Sequence, residues 1–242
     1  MGILLEIAYD GSNYSGWQVQ NNKQTIQGVL KNVIQNIYGE CDLLGASRTD
    51  AGVHALGQVA HLKTQNLGLI PMERLPYALN SHLPKDIVVH SARLVSDNFH
   101  PIADAKSKIY TYKILNSKFL NPIFRNYIHF EPRELNINKM REQAQHFLGE
   151  HDFAAFCAAN SSAKSTVRHI FSLDITQETE IICINICGNG FLYNMVRIIA
   201  GTLVEVGLGR IDDVKSIINS KNRHLAGKTL PAKGLVLQKI FY

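Results

Sequence analysis

The chain has 242 residues, of which 45% are hydrophobic and 19% charged, and its formal net charge is +5 at pH 7. This composition allows a normal buried core and argues against intrinsic disorder, and no apolar run reaches the roughly 20 residues of a membrane span. The start lacks the basic flank and the cleavage signal of an export peptide, so we expect a cytoplasmic protein without a membrane partner. The positive charge suits a nucleic acid, but charge alone is weak support.

The first half of the chain predicts alternating strands and helices. ILLEIAYD puts apolar side chains on one parity, which is typical of a half-buried strand. A helical stripe of apolar residues follows over 26–37, with Thr25 as its N-cap and Gly39 as its stop. Further along, the pattern predicts an extended VHALGQVAHLKT, a helical PMERLPYALNSH and a strand over IVVHSARLV.

The second half repeats this order. We predict strands over KSKIYTYKIL, HIFSLDIT, IICINICG and GLVLQKIFY, and helices over INKMREQAQHFLG (ended by Gly149), FLYNMVRIIAGTLVEVG and DDVKSIIN. In HIFSLDIT, the apolar Phe171, Leu173 and Ile175 alternate with polar neighbours. The fold class is therefore α+β, in two similar halves over 1–104 and 105–242, with the best seam at NFHPIADAK.

Cysteine and histidine patterns indicate neither a disulfide nor a metal site. The four cysteines lack CxxC spacing and are expected to be buried free thiols: Cys41, Cys157, Cys183 and Cys187. None of the ten histidines falls in an HExxH or paired Cys/His pattern.

The stretch SRTDAGVHALGQVAHL contains an acid in an unusual setting. An aspartate two residues before a glycine, such as Asp50, is most often a turn residue that bonds the local backbone. However, Arg48, Thr49 and His54 crowd the same segment, just where a loop leads into an apolar strand. A loop that meets a rigid element can hold a carboxylate still, so a functional role is the alternative.

The long helix after GNG carries a cation on a largely apolar surface. Asn194, Arg197 and Gly201 are spaced three and four apart, so they form one seam of this helix. A buried guanidinium needs a partner, and Asp50 is one candidate. The pair is either a structural salt bridge or part of a site, in which case the cation would keep Asp50 ionised at neutral pH.

Strand alternation in KSKIYTYKIL puts Lys108, Tyr110, Tyr112 and Ile114 on one face. Aromatic rings with an interleaved cation suit a surface that stacks on nucleobases, although core tyrosines are the commoner origin of such a pattern. Two local basic clusters could follow a phosphate backbone or could simply face solvent: Lys164 with Arg168 and His169, and Lys221 with Arg223, His224, Lys228 and Lys233.

Taken together, these motifs resemble those of the TruA-type tRNA pseudouridine synthases over nearly the whole chain. The resemblance rests on SRTDAGVHALGQVAHL, whose RTDxGVH string marks this family's catalytic loop, and on the Tyr110 strand. Further matching blocks occur in the same order: YDGSNYSGWQVQ, DNFHP, HDFAAF, GNGFLYNMVRIIAG and AKGLVL.

The resemblance implies an isomerase that converts uridine to pseudouridine in the anticodon arm of tRNA, at positions 38, 39 and 40, without cofactor or metal. The uracil leaves its N-glycosidic bond and rejoins the sugar through C5. The implied fold is a mixed, mostly antiparallel sheet built from two similar α+β halves, with flanking helices and a basic cleft. Family members form homodimers that hold one tRNA across both subunits.

The resemblance also implies roles for individual residues. Asp50 would be the catalytic nucleophile, which attacks the base, attacks the sugar or abstracts a sugar proton. Tyr110 would stack on the target base, Arg197 would pair with the aspartate, and Leu235 would line the same pocket.

The remaining implied contacts are with the RNA. Arg48 would help extrude the target nucleotide, at a cost of a few kcal/mol of unstacking, and Lys164 and Arg168 would bind the backbone. Two positions depart from the family pattern: Ile102 stands where an arginine is usual, and Ser47 where a glycine is common.

Two alternatives belong to other functional classes. One alternative is a non-catalytic tRNA-binding protein that keeps the stacking tyrosines. The only sequence feature in favour of it is Ile102, at a position where the family usually has an arginine. A carboxylate-dependent hydrolase acting on a nucleoside would need a second acid near Asp50, and the sequence identifies none.

Overall fold

A computed structural model describes residues 1–159 and 161–242 of the chain. The chain divides into two units, Met1–Lys106 with Leu237–Tyr242, and Ser107–Val236. In the described residues, ten strands in mostly antiparallel ladders and a few helices confirm the predicted α+β class. No helix in the described part of the chain is long and apolar enough to cross a membrane.

The first unit is built on an antiparallel ladder. Strand β1 pairs with β3 on one side and β4 on the other, and β2 pairs with the end of β3. Two helices complete this unit. The bounds are β1 Gly2–Tyr9, α1 Ile26–Tyr38, β2 Cys41–Gly45, β3 His54–Thr64, α2 Leu75–Asn80 and β4 Ile87–Val95.

Helix α1 forms where the apolar stripe predicts it. The Thr25 hydroxyl accepts a hydrogen bond from the Gly28 N–H, which satisfies one of the free donors at the helix start. Gly39 ends the helix at φ 74°, a backbone conformation that favours glycine. The stripe faces the core through Ile26, Leu30, Val33, Ile34 and Tyr38.

The sequence pattern does not predict strand β2. CDLLG is only five residues long and ends in a glycine, so its alternation is too short to separate from a turn. It is stabilised by antiparallel pairing with β3, where Leu43 lies opposite Leu62. A Cβ on Gly45 would lie 2.1 Å from the Trp17 indole nitrogen, so the glycine leaves room for that buried ring.

The second unit carries its own antiparallel ladder, in the order β5, β9, β8, β7, with the short β6 parallel to β5. The short β6 and β7 were not predicted. The bounds are β5 Ser107–Leu115, β6 His129–Phe130, α3 Ile137–Ala144, β7 Gly149–Asp152, β8 Val167–Glu178, β9 Ile181–Gly188, α4 Met195–Gly207, α5 Val214–Ser220 and β10 Leu235–Phe241. Strand β10 starts in this unit and continues into the first.

The predicted alternation over HIFSLDIT is wrong for Phe171. Leu173 and Ile175 are buried, but Phe171 is 51% exposed. A register shift between Ile170 and Ser172 gives β8 one extra residue, and Phe171 is that residue. Its ring stacks on His169 instead, with ring centroids 4.9 Å apart.

The cysteines are free, in agreement with the sequence analysis, but they are less buried than expected. Cys41 is buried, whereas Cys157, Cys183 and Cys187 are half-buried. Cys183 lies in β9, where buried and half-buried side chains alternate, so its thiol is on the less buried face of that strand.

Candidate active site

Asp50 lies in the loop between β2 and β3 and is half-buried. The Val53 N–H donates to the Asp50 carbonyl over 3.1 Å, and Gly52 has φ 79°, so the backbone turns sharply just after the acid. Arg48, two residues earlier, is exposed. The loop therefore presents an acid and a cation at the start of a rigid strand.

Hydrogen bonds fix this loop just before the acid. The Thr49 hydroxyl lies 2.6 Å from the buried Tyr9 hydroxyl, and the Thr49 carbonyl accepts from the Trp17 N–H. Gln58 on β3 clamps Ser47 by donating to its carbonyl over 2.7 Å and accepting from its N–H over 3.2 Å. Buried bonds of this kind are costly to break, so the loop keeps one conformation.

Two glycines in YDGSNYSGWQVQ let this early segment pack directly on the Asp50 loop. A Cβ on Gly11 would lie 2.0 Å from the Val53 carbonyl oxygen. Gly16 has φ +90°, and its Cβ would lie 2.6 Å from the Thr49 carbonyl oxygen. This block, for which the sequence alone predicts no role, therefore supports the loop from within the same unit.

His54, at the start of β3, is buried and contacts the same early segment. Its Nδ1 lies 3.1 Å from the Gly11 nitrogen and 3.1 Å from an Asp10 carboxylate oxygen. An Nδ1 without hydrogen accepts from the Gly11 N–H, whereas an Nδ1–H donates to Asp10. Either form ties the segment that starts at Asp10 to the strand that follows Asp50.

In the second unit, Tyr110 is buried on β5, and its ring packs edge-on against Phe191 at a centroid distance of 5.2 Å. Lys108 and Tyr112 are buried two residues to either side, so the predicted common face exists. The Tyr112 hydroxyl donates to the Pro231 carbonyl over 2.7 Å. Tyr112 is therefore a core tyrosine with a satisfied hydroxyl.

Arg197 is oriented by two acceptors of its own unit. Its Nε donates to the Leu230 carbonyl over 2.7 Å, and one terminal nitrogen donates to the Asn194 side-chain oxygen over 2.6 Å. Asn194 has φ 61° and precedes the first residue of α4, so this helix starts four residues later than predicted. Asn194 and Arg197, which the sequence predicts to lie on one side of the helix, are thus in direct contact.

The chain segment that leads to Leu235 packs on α4 and β5. A Cβ on Gly201 would lie 1.9 Å from the Lys228 carbonyl oxygen, so only glycine permits this approach to the helix. A Cβ on Gly234 would lie 2.7 Å from the Tyr112 ring. Leu235 follows as the buried first residue of β10.

Arg168 is half-buried, and one terminal nitrogen donates to the Ser165 and Val167 carbonyls over 2.9 and 2.6 Å. Burial lowers the pKa of its guanidinium. A Cβ on Gly190 would lie 3.6 Å from the Arg168 Nε, so Arg168 is beside the GNG turn. Lys164 is exposed in the preceding loop.

Lys108 belongs to the predicted stacking face but not to the predicted site residues. It is only 9% exposed. Burial, with a smaller contribution from the positive charge of Arg168, lowers the pKa of its ammonium from 10.5 to about 8. The structure thus brings two cations, Lys108 and Arg168, close together near Tyr110. The spacing of Lys108 and Tyr110 along the chain does not predict this.

Replacing Lys108 with Met should change how stability depends on pH. Below the folded-state pKa of about 8, both states of the wild type bind the proton. Between that pKa and the ordinary value of 10.5, the unfolded state binds more protons, so stability rises with pH by at most about 1.4 kcal/mol per unit. The Lys108→Met protein should lack this rise in urea unfolding series from pH 7 upward. Parallel curves for the two proteins would contradict the assignment.

The predicted residues are divided between the two units. Arg48 and Asp50 belong to the first, whereas the second carries Tyr110, Lys164, Arg168, Arg197 and Leu235. Among residues 1–159 and 161–242, no three His, Cys, Asp or Glu side chains are grouped as metal ligands would be.

Comparison with known proteins gives a family match along nearly the whole chain. A family model described as tRNA pseudouridine synthase matches residues 6–102 and 143–242. The tRNA pseudouridine synthase A of Thermoanaerobacter sp. (strain X514) is 52% identical over 99% of both chains. Those of Caldicellulosiruptor saccharolyticus and Acetivibrio thermocellus are 50% and 48% identical, again over 99% of each chain.

Proposed function

Since the chain belongs to the tRNA pseudouridine synthase family, we propose that it isomerises uridine to pseudouridine in tRNA with Asp50 as the catalytic group. The observation that carries this proposal is the identity of about half of all residues with tRNA pseudouridine synthase A proteins along 99% of the chain. The enzyme is therefore an isomerase. The N1–C1′ bond breaks, a C5–C1′ bond forms, and a proton leaves C5 while N1 gains one.

Asp50 acts as a carboxylate in this proposal. Whether it attacks the base, attacks the sugar or removes a sugar proton, it needs its negative charge and a fixed position. The support comes from the loop, because contacts of Thr49 and Ser47 hold the chain immediately before the acid. Because these neighbouring residues are hydrogen-bonded to fixed parts of the same unit, the carboxylate loses little conformational entropy when it reacts.

Tyr110, Arg197 and Leu235 complete the active site by analogy with the family. Tyr110 stacks on the target base, and its edge-on packing against Phe191 keeps the ring in one orientation. Arg197 pairs with Asp50, and its bonds to Leu230 and Asn194 preset the guanidinium for that role. Leu235 lines the pocket as an apolar wall. The reaction has no redox step or group donor, so no cofactor takes part.

The finer features of the proposal concern the RNA and the assembly. The exposed Arg48 helps extrude the target nucleotide, and Lys164 and Arg168 contact the tRNA backbone. The target uridines lie in the anticodon arm, and the working enzyme is a homodimer. Phosphate contacts of this kind make log K fall by about 0.7 to 0.9 for each phosphate neutralised.

The test is to incubate an unmodified tRNA transcript with the protein and map pseudouridine along it. We expect pseudouridine in the anticodon arm at positions 38, 39 and 40, and no free uracil. Binding without product would instead favour the non-catalytic tRNA-binding alternative. Release of free uracil would favour a hydrolase.

A further inference from the structure

The second unit exposes aromatic and apolar side chains that the proposed active site does not use. They lie on the loop 117–127, between β5 and β6, with sequence SKFLNPIFRNY. Phe119 is 75% exposed and Ile123 74%. Three further side chains of this loop are partly exposed: Leu120, Phe124 and Tyr127. Several exposed apolar side chains within one short loop are typical of an interaction surface, whereas single exposed ones are ordinary.

The loop is held in shape by its own hydrogen bonds. The Ser117 hydroxyl donates to the Phe119 carbonyl over 2.7 Å, and the Asn121 side chain accepts from the Ile123 N–H over 3.0 Å. Arg125 donates to the Pro122 carbonyl over 3.0 Å. These bonds restrict the backbone that carries the exposed rings, so less entropy is lost when the loop binds a ligand.

The surroundings of this loop are positively charged. Residues 117–127 contain Lys118 and Arg125 and no acid, and the segment 222–234 contains Arg223, Lys228 and Lys233 and no acid. The two segments meet where the Lys233 ammonium donates to the Arg125 carbonyl over 2.7 Å. The Lys118 ammonium lies 5.5 Å from the centroid of the Phe119 ring.

The nearest acid along the chain does not neutralise this charge. Glu131 is buried, and both its carboxylate oxygens accept from Arg133 over 2.7 Å. Hydrogen bonds from Arg133 lower the pKa of Glu131, so its charge is already balanced. The exposed face of the loop therefore combines flat rings with positive charge that Glu131 does not balance.

A short segment, residues 230–233, connects the surroundings of Arg197 with this loop. Leu230 accepts a hydrogen bond from Arg197, and Lys233, three residues later, contacts Arg125 of the loop. Three residues span at most roughly 11 Å. A polynucleotide held near Arg197 would thus reach the loop within a few nucleotides.

We propose that residues 117–127, with Lys228 and Lys233, form an additional tRNA-binding surface that binds the nucleotides next to the target uridine. This inference rests on the proposed function. Rings stack on unpaired bases and the cations meet phosphates, which is how proteins bind single-stranded segments without reading sequence. A second copy of the chain fits this surface less well, because a two-fold contact would set its positive charges against themselves.

Phe119→Ala is the main test, with Tyr77→Ala as its matched control. Tyr77 lies on α2 and is also 75% exposed. With an unmodified tRNA transcript as the probe, Phe119→Ala should raise Kd at least about fivefold, the lower end of the effect of one stacked base. Tyr77→Ala should bind like the wild type. Lys118→Gln should lower the slope of log K against log salt by about 0.7 to 0.9.

Light scattering on the same proteins separates the possible occupants. Weaker tRNA binding at unchanged molecular mass supports the inference, whereas weaker binding with a lower mass would assign the surface to a second copy and overturn it. A Phe119→Ala protein that binds like Tyr77→Ala would also overturn it. If Phe119→Ala has no effect but the wild type makes pseudouridine, only this inference fails and the proposed function stands. If the wild type makes no pseudouridine, the proposed function itself is refuted.

Discussion

Asparagine at position 50 should lower the rate of pseudouridine formation by at least about ten thousandfold. The amide has nearly the same shape as the carboxylate but carries no charge, so it can serve neither as nucleophile nor as base. Affinity for tRNA should change less than about fivefold, because phosphate contacts dominate binding. Single-turnover rates with excess enzyme, together with tRNA dissociation constants, measure the two effects separately.

Asp42→Asn is the control for this substitution. Asp42 lies on β2 in the same unit, and its side chain is exposed. This variant should react at the wild-type rate. An Asp50→Asn rate within about tenfold of wild type would remove the aspartate from the chemistry.

Gly16→Ala should damage both stability and activity. At φ +90° an alanine costs about 1 kcal/mol, and its Cβ would also lie 2.6 Å from the Thr49 carbonyl oxygen. That carbonyl belongs to the residue before Asp50, so relief of the clash must move the loop. We expect the free energy of unfolding to fall by roughly 2 to 4 kcal/mol and the rate by about ten- to a hundredfold. Urea unfolding and single-turnover rates measure the two effects.

Gly39→Ala separates the contact from the backbone conformation. Gly39 has φ +74°, but a Cβ there would meet nothing within 4 Å. It should therefore lose only about 1 kcal/mol of stability and keep the wild-type rate. Equal losses for the two variants would mean that the packing of Gly16 on the loop does not position Asp50.

The fold was predictable where local signals agree with the tertiary environment. In α1, Thr25, the apolar stripe and Gly39 all indicate one helix, and the structure contains it. Strand β2 was missed because its five residues depend on pairing with β3, which the sequence does not display. Phe171 was misassigned because a bulge reverses the face of a side chain, and no residue type specifies a bulge at that position.

The Asp50 loop could be singled out from its crowded polar residues, but its support could not. Gly11 and Gly16 contact residues that are more than 30 positions away along the chain. Two glycines flanking an aromatic segment were the available signal. Such a pair indicates a close backbone approach without identifying the partner.

The neutral acceptors of Arg197 could not be predicted from the sequence. A guanidinium has five N–H donors, so it can be satisfied by neutral acceptors as well as by an acid. The apolar helix surface predicts an acid as the partner of Arg197, and the structure adds the Leu230 carbonyl and the Asn194 side chain. The carbonyl comes from a segment 33 residues away, and only folding brings it to the helix.

Release of tritium from tRNA labelled at C5 of uridine tests the central claim most directly, because pairing C5 with C1′ must expel the C5 hydrogen. We expect the wild type to release one tritium to water for each pseudouridine formed, with no free uracil. The Asp50→Asn protein should bind the labelled tRNA and release nothing above the blank. Tritium release by Asp50→Asn at a rate near wild type, or free uracil from the wild type, would contradict the assignment of this chain as an aspartate-dependent uridine isomerase.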